Sequence, residues 1–377
     1  MTLKVLHLHS SFDVGGKEMR SVRLMEAFGR KLDQTVVSAE PGALSAGHGM
    51  KKSVSVRYPA DFPPLKGRPT PGRLQKLAKA MSDYDLILTY NFGAMDAVMA
   101  HTLFADLHSL PPLVHHEDGF NQDEIAKRKW TRNWYRRIGL GRASALVVPS
   151  TGLEEIAKTE WQQPEWRVQR IINGIETARY GRRSRPDALP GLVKREGEFF
   201  IGTLAGLRKV KNLPLLVEAI VGLPEFWHLV IVGEGAEREE IRAAADRLGV
   251  SDRVHMPGYV EDPAQVLGLF DLYALSSHSE QFPLSVVEAM ASGLAVVAPD
   301  IGDIRTMVSK PNRDFIAAAG DGKHLAENLA ALVRDDGARA AIGQANRDRA
   351  RDLYDEKAMI EDYRAIYARA LKLPRFP

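Results

Sequence analysis

Short, wholly apolar runs alternate with helical patterns along this 377-residue chain, and the series starts twice. Residues 3–8 read as a buried strand, followed by the Gly-containing loop Asp13-Val14-Gly15-Gly16 and helical spacing over 19–28. Further strands are expected at 35–38, 85–89, 113–115 and 145–149, with a helix near 95–104. The pattern restarts with strands at 199–204, 228–232, 253–256, 272–275, 295–298 and 314–317, and helices at 213–220 and 241–248. A strand with one wet face alternates apolar and polar residues. Continuous apolar runs are instead covered on both faces, which is the situation of parallel strands joined by helices. Two such series predict an α/β chain of two doubly wound domains. The first is expected over 1–178 and the second over 179–355. The joint falls in the Gly-, Arg- and Pro-rich stretch 174–198, and 356–377 is a final helical segment with no strand after it.

Composition removes whole classes of chemistry. With no cysteine, disulfides, thiolate metal sites, iron–sulfur clusters and cysteine nucleophiles are excluded. No apolar run approaches the ~18–20 residues that span a bilayer, and the first residues read as a strand, so a cytoplasmic chain is expected. The net charge of +3 is unevenly spread. Residues 1–180 hold 25 Lys and Arg against 19 Asp and Glu, and the remainder holds 26 against 29. The basic first half is suited to an anionic partner such as a membrane surface or a phosphorylated substrate. Residues 59–72 carry five prolines and read as an extended surface loop.

The most informative segment is 276–298, SSHSEQFPLSVVEAMASGLAVVA. Seven residues separate Glu280 from Glu288. Pro283 suits the start of a helix over 284–292, and Gly293 suits its end. Glu288 then lies on that helix and Glu280 in the loop before it. The helix N-terminus offers free N–H groups and partial positive charge, fit for a diphosphate.

This segment resembles the signature of family 4 glycosyltransferases, in which two such glutamates frame a helix reading EAM-x-x-G before a buried strand. Other stretches resemble the same family in the same order. They are Gly15-Gly16-Lys17-Glu18, the junction turn Ile172-Asn173-Gly174-Ile175-Glu176, the segment GTLAGLRKVKN over 202–212, the loop Ile231-Val232-Gly233-Glu234-Gly235, and Pro257-Gly258-Tyr259-Val260. The resemblance covers most of the chain and implies a GT-B fold: two Rossmann-like domains facing across a cleft. The nucleotide-sugar donor would bind the second domain and the acceptor the first. The last helix would cross back onto the first domain. Transfer would retain anomeric configuration and need no metal or other cofactor.

The resemblance also assigns roles. Arg208 and Lys211 would hold the departing diphosphate, where charge develops during transfer. Asn212, Gly233, Tyr259 and Val260 would line the donor site, with Gln281, Phe282, Pro283 and Leu284. Glu288 would bind the ribose hydroxyls and Glu280 would lie near the donor sugar. Gly15 and Gly16 would let the backbone of the first domain approach the donor. Two positions depart from the family. Gly206 stands where an arginine is common, and Arg208 is inferred to supply that charge. Gln281 replaces a usual glycine, and its longer amide side chain would narrow or read the donor sugar pocket. UDP is the favoured nucleotide.

On the acceptor side, LVHHEDGF over 113–120 ends a strand in polar residues. The family places a histidine in this loop. Counting along the strand lands on Asp118, whereas matching residue type selects His116, with His115 beside it. Both assignments stand at this point. Glu117 and Asn91 join the acceptor-side candidates; each of these groups could orient or deprotonate a hydroxyl. Residues 127–142, from Lys127 to Arg142, hold seven basic residues and no acid. Trp130, Trp134 and Ile138 recur every four residues and share one helical face. Such a helix suits the surface of an anionic membrane, and a lipid-linked or polysaccharide acceptor in cell-envelope glycan synthesis would fit it. Placement at the inner face of the cytoplasmic membrane follows. A nucleotide-sugar epimerase of the same architecture would consume its substrate without an acceptor, and the ordered set of motifs disfavours it. A non-catalytic sugar-nucleotide or membrane-binding protein has only Gly206 in its favour, and the retained Glu280, Glu288 and Lys211 argue against it. Nucleic-acid binding would rest on the basic stretch alone and is not expected.

Overall fold

A computed structural model describes residues 2–120, 122–124 and 127–377. Among the described residues, thirteen strands form two sheets. The first contains β1 (Leu3–His9), β2 (Leu32–Ser38), β3 (Val56–Arg57), β4 (Leu86–Tyr90), β5 (Leu113–His116), β6 (Ala145–Val148) and β7 (Val168–Arg170). Their order is β3-β2-β1-β4-β5-β6-β7. The second contains β8 (Phe199–Leu204), β9 (Trp227–Val232), β10 (Val254–Gly258), β11 (Leu272–Ala274), β12 (Val296–Pro299) and β13 (Ile316–Ala317), in the order β10-β9-β8-β11-β12-β13. All pairs are parallel.

Strand order decides where chemistry can happen. In the first sheet the chain winds from β1 toward β3, then reverses to β4 on the other side of β1. The second sheet reverses in the same way between β8 and β11. At such a reversal the loops leaving the carboxyl ends of two neighbouring strands diverge and leave a crevice for a ligand. Residues 205–212 and 275–283 lie at the reversal of the second sheet, and residues 10–15 and Asn91 at that of the first.

The chain forms two compact units, Met1–Ile172 with Met359–Pro377 (unit 1), and Asn173–Ala358 (unit 2). Residues 173–178, read from the sequence as the end of the first domain, belong with the second. The reason is local pairing. Ile175 bridges Asp355, its N–H donates to the Tyr354 carbonyl at 2.9 Å, and the Thr177 hydroxyl donates to Asp355 at 2.6 Å.

Side-chain alternation sorts β1 between two layers. Leu6 and Leu8 join Ile87, Leu146 and Val148 under the helices on one face. Val5 joins Leu88 and Val114 on the other, covered by Met359, Tyr363, Ile366 and Tyr367 of the helix Glu356–Leu371. Each buried aliphatic side chain here contributes roughly 1.5–3 kcal/mol of transfer free energy. Unit 2 repeats the arrangement, with Ile201, Leu229, Ile231, Leu272 and Val297 at the centre of its core. Strands β3 and β7 were not expected from sequence, because Val56–Arg57 and Val168–Arg170 each hold a single apolar residue and form no apolar run.

Candidate active site

In unit 2 the end of β8 runs into an exposed loop. A Cβ added to Gly206 would lie 3.6 Å from Arg208 Nε, so the Arg208 guanidinium occupies the space beside this glycine. Arg208 is exposed, and its side chain makes no hydrogen bond or ion pair among the described residues. A short turn follows, Lys209–Lys211, which Asn212 ends in the left-handed region at φ 47°. Asn212 accordingly shapes the loop before the helix Pro214–Ile220.

This loop is stitched to the one leaving β11. The His278 N–H donates to the Val210 carbonyl at 2.8 Å, and the Ser276 hydroxyl to the Lys211 carbonyl at 2.9 Å. The Lys211 ammonium donates to Glu280 Oε1 at 2.5 Å, and the Ser277 hydroxyl donates to the same oxygen at 2.7 Å. Both partners of the ion pair are largely shielded from water. Lys211 and Glu280 thus form one mutually oriented pair at the reversal point.

Gly233 has a role that spacing did not reveal. Its φ is +144°, and a Cβ there would come 1.9 Å from the Ala205 carbonyl oxygen. The loops 205–207 and 232–237 exchange backbone bonds, including Leu207 N–H to Glu234 O at 2.9 Å. Gly233 is required so that the loop carrying Arg208 can lie against its neighbour.

Beyond Glu280, the Gln281 carbonyl accepts from the Asp303 N–H at 3.0 Å. Phe282 is buried edge-on against Tyr354, with ring centroids 5.5 Å apart. The Phe282 side chain is therefore a packing group. Pro283 occupies the N-cap and Leu284 opens the helix Leu284–Ala291. Its carboxyl-bearing member, Glu288, accepts a hydrogen bond from the Tyr180 hydroxyl at 3.1 Å. Burial pushes the Glu288 carboxyl up to about 7, against the downward pull of that hydrogen bond. Tyr259 is 53% exposed in the loop after β10, and Val260 follows it. The two glutamates therefore have different surroundings: Glu280 is clasped by a cation, and Glu288 by a phenol.

In unit 1, Gly15 caps the helix Gly16–Phe28 in an extended conformation that any residue adopts. What Gly15 secures is space, since a Cβ would lie 2.7 Å from Glu18 Oε2. Across the reversal, Asn91 has φ 57° and ψ 180°, a region that side-chain-bearing residues rarely occupy. Its N–H donates to the His116 carbonyl at 2.7 Å, and its Oδ1 accepts from the Asp118 N–H at 2.8 Å. Strain held at a strand end beside the ligand crevice is a recognised mark of functional geometry.

The structure separates the acceptor-side candidates. His116 is fully buried, with Nδ1 against the Thr89 carbonyl at 3.1 Å and Nε2 against the Tyr367 hydroxyl at 3.1 Å. Burial, then the nearby Arg20 charge, hold its imidazole well below the usual range. His115 is equally buried, bonded to Thr89 Oγ1 at 2.8 Å. Glu117 is buried against Arg136 at 3.0 Å. Burial raises its carboxyl, but Arg136 and His115 lower it further, so it lies below the usual range. These three are interior groups, because alternate residues of a strand covered on both faces all point into a layer. Asp118, one residue past the buried Glu117, keeps some exposure and is held from two sides. Arg20 clasps both carboxylate oxygens, at 2.5 and 2.9 Å, while Asn91 holds its N–H.

The basic stretch forms the helix Trp130–Gly139, with its apolar stripe outward. Trp130 is 72% exposed, and Trp134 and Ile138 are each 51% exposed. Its cations turn inward more than expected. Arg136 is fully buried over Phe92 and Trp161 and paired with Glu117 and Glu124. Arg128, Lys129, Arg132 and Arg142 pair with Glu160, Asp123, Asp123 with Glu124, and Asp106. Sequence within 127–142 could not show this, because the acids lie outside it. No described helix is long and apolar enough to cross a membrane, and the described residues hold no cluster of three or more His, Cys, Asp or Glu fit for a metal ion.

Two doubly wound units, each bringing charged and polar side chains to a strand-order reversal, define an α/β protein built of Rossmann-like halves. Family profiles agree along nearly the whole chain: Glycosyltransferase Family 4 over residues 14–179 and Glycosyl transferases group 1 over 184–349. The chain belongs to the family 4 glycosyltransferases and has their GT-B fold. It is 25% identical over 239 residues to the N-acetyl-alpha-D-glucosaminyl L-malate synthase of Bacillus anthracis, covering 63% of this chain and 62% of that protein. It is 35% identical over 172 residues to the D-inositol 3-phosphate glycosyltransferase of Xylanimonas cellulosilytica, covering 43% and 40%. The chain therefore spans roughly half the length of these curated relatives. Among solved structures, HepE of Anabaena in complex with UDP and glucose superposes with a TM-score of 0.81 at 22% identity, over 97% of this chain and 99% of that one.

Proposed function

We propose that this chain is a retaining, metal-independent glycosyltransferase. It moves a sugar from a nucleotide diphosphate sugar, a UDP-sugar first, to a hydroxyl of a lipid-linked or polysaccharide acceptor. One observation carries the reading: Arg208, Lys211 and Glu280 gather where the second sheet reverses its strand order. Departure of a nucleoside diphosphate builds negative charge on the bridging oxygen. A preoriented ammonium and an unpaired guanidinium stabilise that charge without reorganising at the moment of reaction. These two cations supply the charge that a metal would otherwise bring. Glu280, which holds Lys211 through Oε1, keeps Oε2 for a hydroxyl of the donor sugar. HepE, solved with UDP and glucose, supports uridine as the first base to test.

On the acceptor side Asp118 is our choice over His116 and His115, since both histidines are committed inside unit 1. The outward stripe Trp130, Trp134 and Ile138 supports a lipid-linked acceptor met at the inner face of the cytoplasmic membrane. Lipid contact then rests on apolar insertion more than on charge, because five of the seven basic side chains in 127–142 are paired within the protein.

The test is a thermal-shift panel of nucleoside diphosphates and nucleotide sugars in EDTA. A ligand bound only by the folded state raises Tm by mass action. A rise with one nucleotide sugar and its parent diphosphate supports the reading and names the base. No rise with any of them refutes the donor site at Arg208, Lys211 and Glu288. Consumption of the sugar nucleotide to an isomer, without acceptor, would point to epimerisation instead.

A further inference from the structure

We propose that Tyr180 is a positioning residue of the donor site: its hydroxyl holds Glu288 with one carboxylate oxygen occupied and the other presented to the vicinal diol of the nucleotide's ribose. The inference rests on the donor reading above and adds a residue that no motif singled out.

Tyr180 follows the turn Thr177–Arg179, directly after Asn173-Gly174-Ile175-Glu176. That turn is fastened within unit 2. The Ile175–Asp355 bridge and the Thr177–Asp355 hydrogen bond fix its beginning. A Cβ on Gly174 would lie 2.9 Å from Glu356 Cα, so the two segments pass in close contact. At the far end Arg179 pairs with Asp262 at 2.6 Å. Asp262 lies three residues beyond the exposed Tyr259, so the ion pair ties the Tyr259–Val260 loop to the turn that carries Tyr180. From this anchored position the Tyr180 hydroxyl donates to Glu288 Oε1 at 3.1 Å.

The chemistry of the pair explains its use. A diol offers two O–H donors, so its best partner is an ionised carboxylate. Glu288 is drawn toward neutrality by burial and by the Asp262 charge, while Tyr180 and Arg179 favour its ionised form. Tyr273, whose hydroxyl accepts from the Leu204 N–H at 3.3 Å, also senses Glu288: burial raises its phenol, and the Glu288 charge adds to that. Tyr180 is thus the donor that orients Glu288 and keeps it charged near neutral pH. Its own phenol is raised by burial and by Glu288, so it remains a donor throughout that range.

The experiment is calorimetric titration of UDP and 2′,3′-dideoxy-UDP, with GDP and its dideoxy form alongside, into the wild type, Tyr180→Phe, Glu288→Gln and the double variant. Phenylalanine keeps the ring and its packing. Tyr180→Phe is expected to weaken the ribonucleotide about tenfold, on the scale of a hydrogen bond to a charged group, and to leave the dideoxy form unchanged. The double variant should lose no more than Glu288→Gln alone. The wild type should lose affinity as pH falls through about 7, and in Tyr180→Phe that loss should occur at higher pH. Equal weakening of both nucleotides, or no change in affinity and pH midpoint, overturns the role of Tyr180 while leaving the donor site standing. A wild type that binds neither UDP nor GDP overturns the donor reading and this inference together.

Discussion

Acidification from pH 7 to 5 should weaken unit 1 strongly, through three buried histidines. His7, His9 and His116 lie inside unit 1. Burial is the main cause in each case: it lowers His7 to about 3 and puts His9 and His116 well below the usual imidazole range. All three are neutral in the folded chain at pH 5, while an unfolded imidazole titrates at about 6.5. The unfolded chain therefore binds more protons as pH falls, and stability held above pH 6.5 is lost below it. At pH 5 each histidine costs about 2 kcal/mol, whatever its native value, provided that value lies well below 5. Three together cost about 6 kcal/mol, comparable with the whole stability of an ordinary domain at ~5–15 kcal/mol. The assay is urea unfolding at pH 7 and pH 5, for the wild type and for His7→Gln. The variant should lose about 2 kcal/mol less across that interval than the wild type. Cancelling between pH values removes every other titrating group from the comparison. An identical pH dependence in the two proteins would refute the reasoning, because it would mean that His7 is protonated in the folded state.

Three further predictions address the site and its surroundings. Lys211→Ala should lower kcat/KM by about 10²-fold, the scale of one lost electrostatic donor, with an unchanged circular dichroism spectrum; unchanged turnover would place the diphosphate elsewhere. Gly233→Ala should destabilise unit 2 by about 3 kcal/mol or more, since its Cβ would lie 1.9 Å from the Ala205 oxygen, and a urea midpoint within error of the wild type would contradict the close approach. Replacing Trp130 and Trp134 together by Ala should reduce sedimentation with anionic liposomes at least severalfold and leave Tm within about 2 °C, because exposed side chains contribute little to folding; a large drop in Tm would show that they pack on the protein instead.

Much of the architecture could be read in the chain because its cause is local and repeated. Uninterrupted apolar runs must be covered on both faces, so a parallel sheet follows from composition within five or six residues at a time. The junction turn, the Gly-rich loop after β9 and the two glutamates around Pro283 were legible for a similar reason: each is a few consecutive residues whose types suit one backbone shape. Strand order was not legible. It depends on which strands meet across a hundred residues, and that order lays the loop of Arg208 and Lys211 against the loop of Glu280. The direction of side chains at the end of β5 also needed tertiary structure. Sequence presented His115, His116, Glu117 and Asp118 as equals, and packing on both faces of the sheet buried the first three and left Asp118 between Arg20 and Asn91. The helix after Lys129 shows the same limit. Its stripe of Trp130, Trp134 and Ile138 follows from 3.6-residue periodicity, but which face turns inward was decided by acids elsewhere in the chain, Glu117 and Glu124 among them. Tyr180 left no trace in the sequence, because a single tyrosine gains meaning only from the carboxylate that folding sets 3.1 Å away. Periodicity and turn chemistry act between neighbours and survive in one dimension; charge pairing and burial act across space, and only the folded chain supplies the distances.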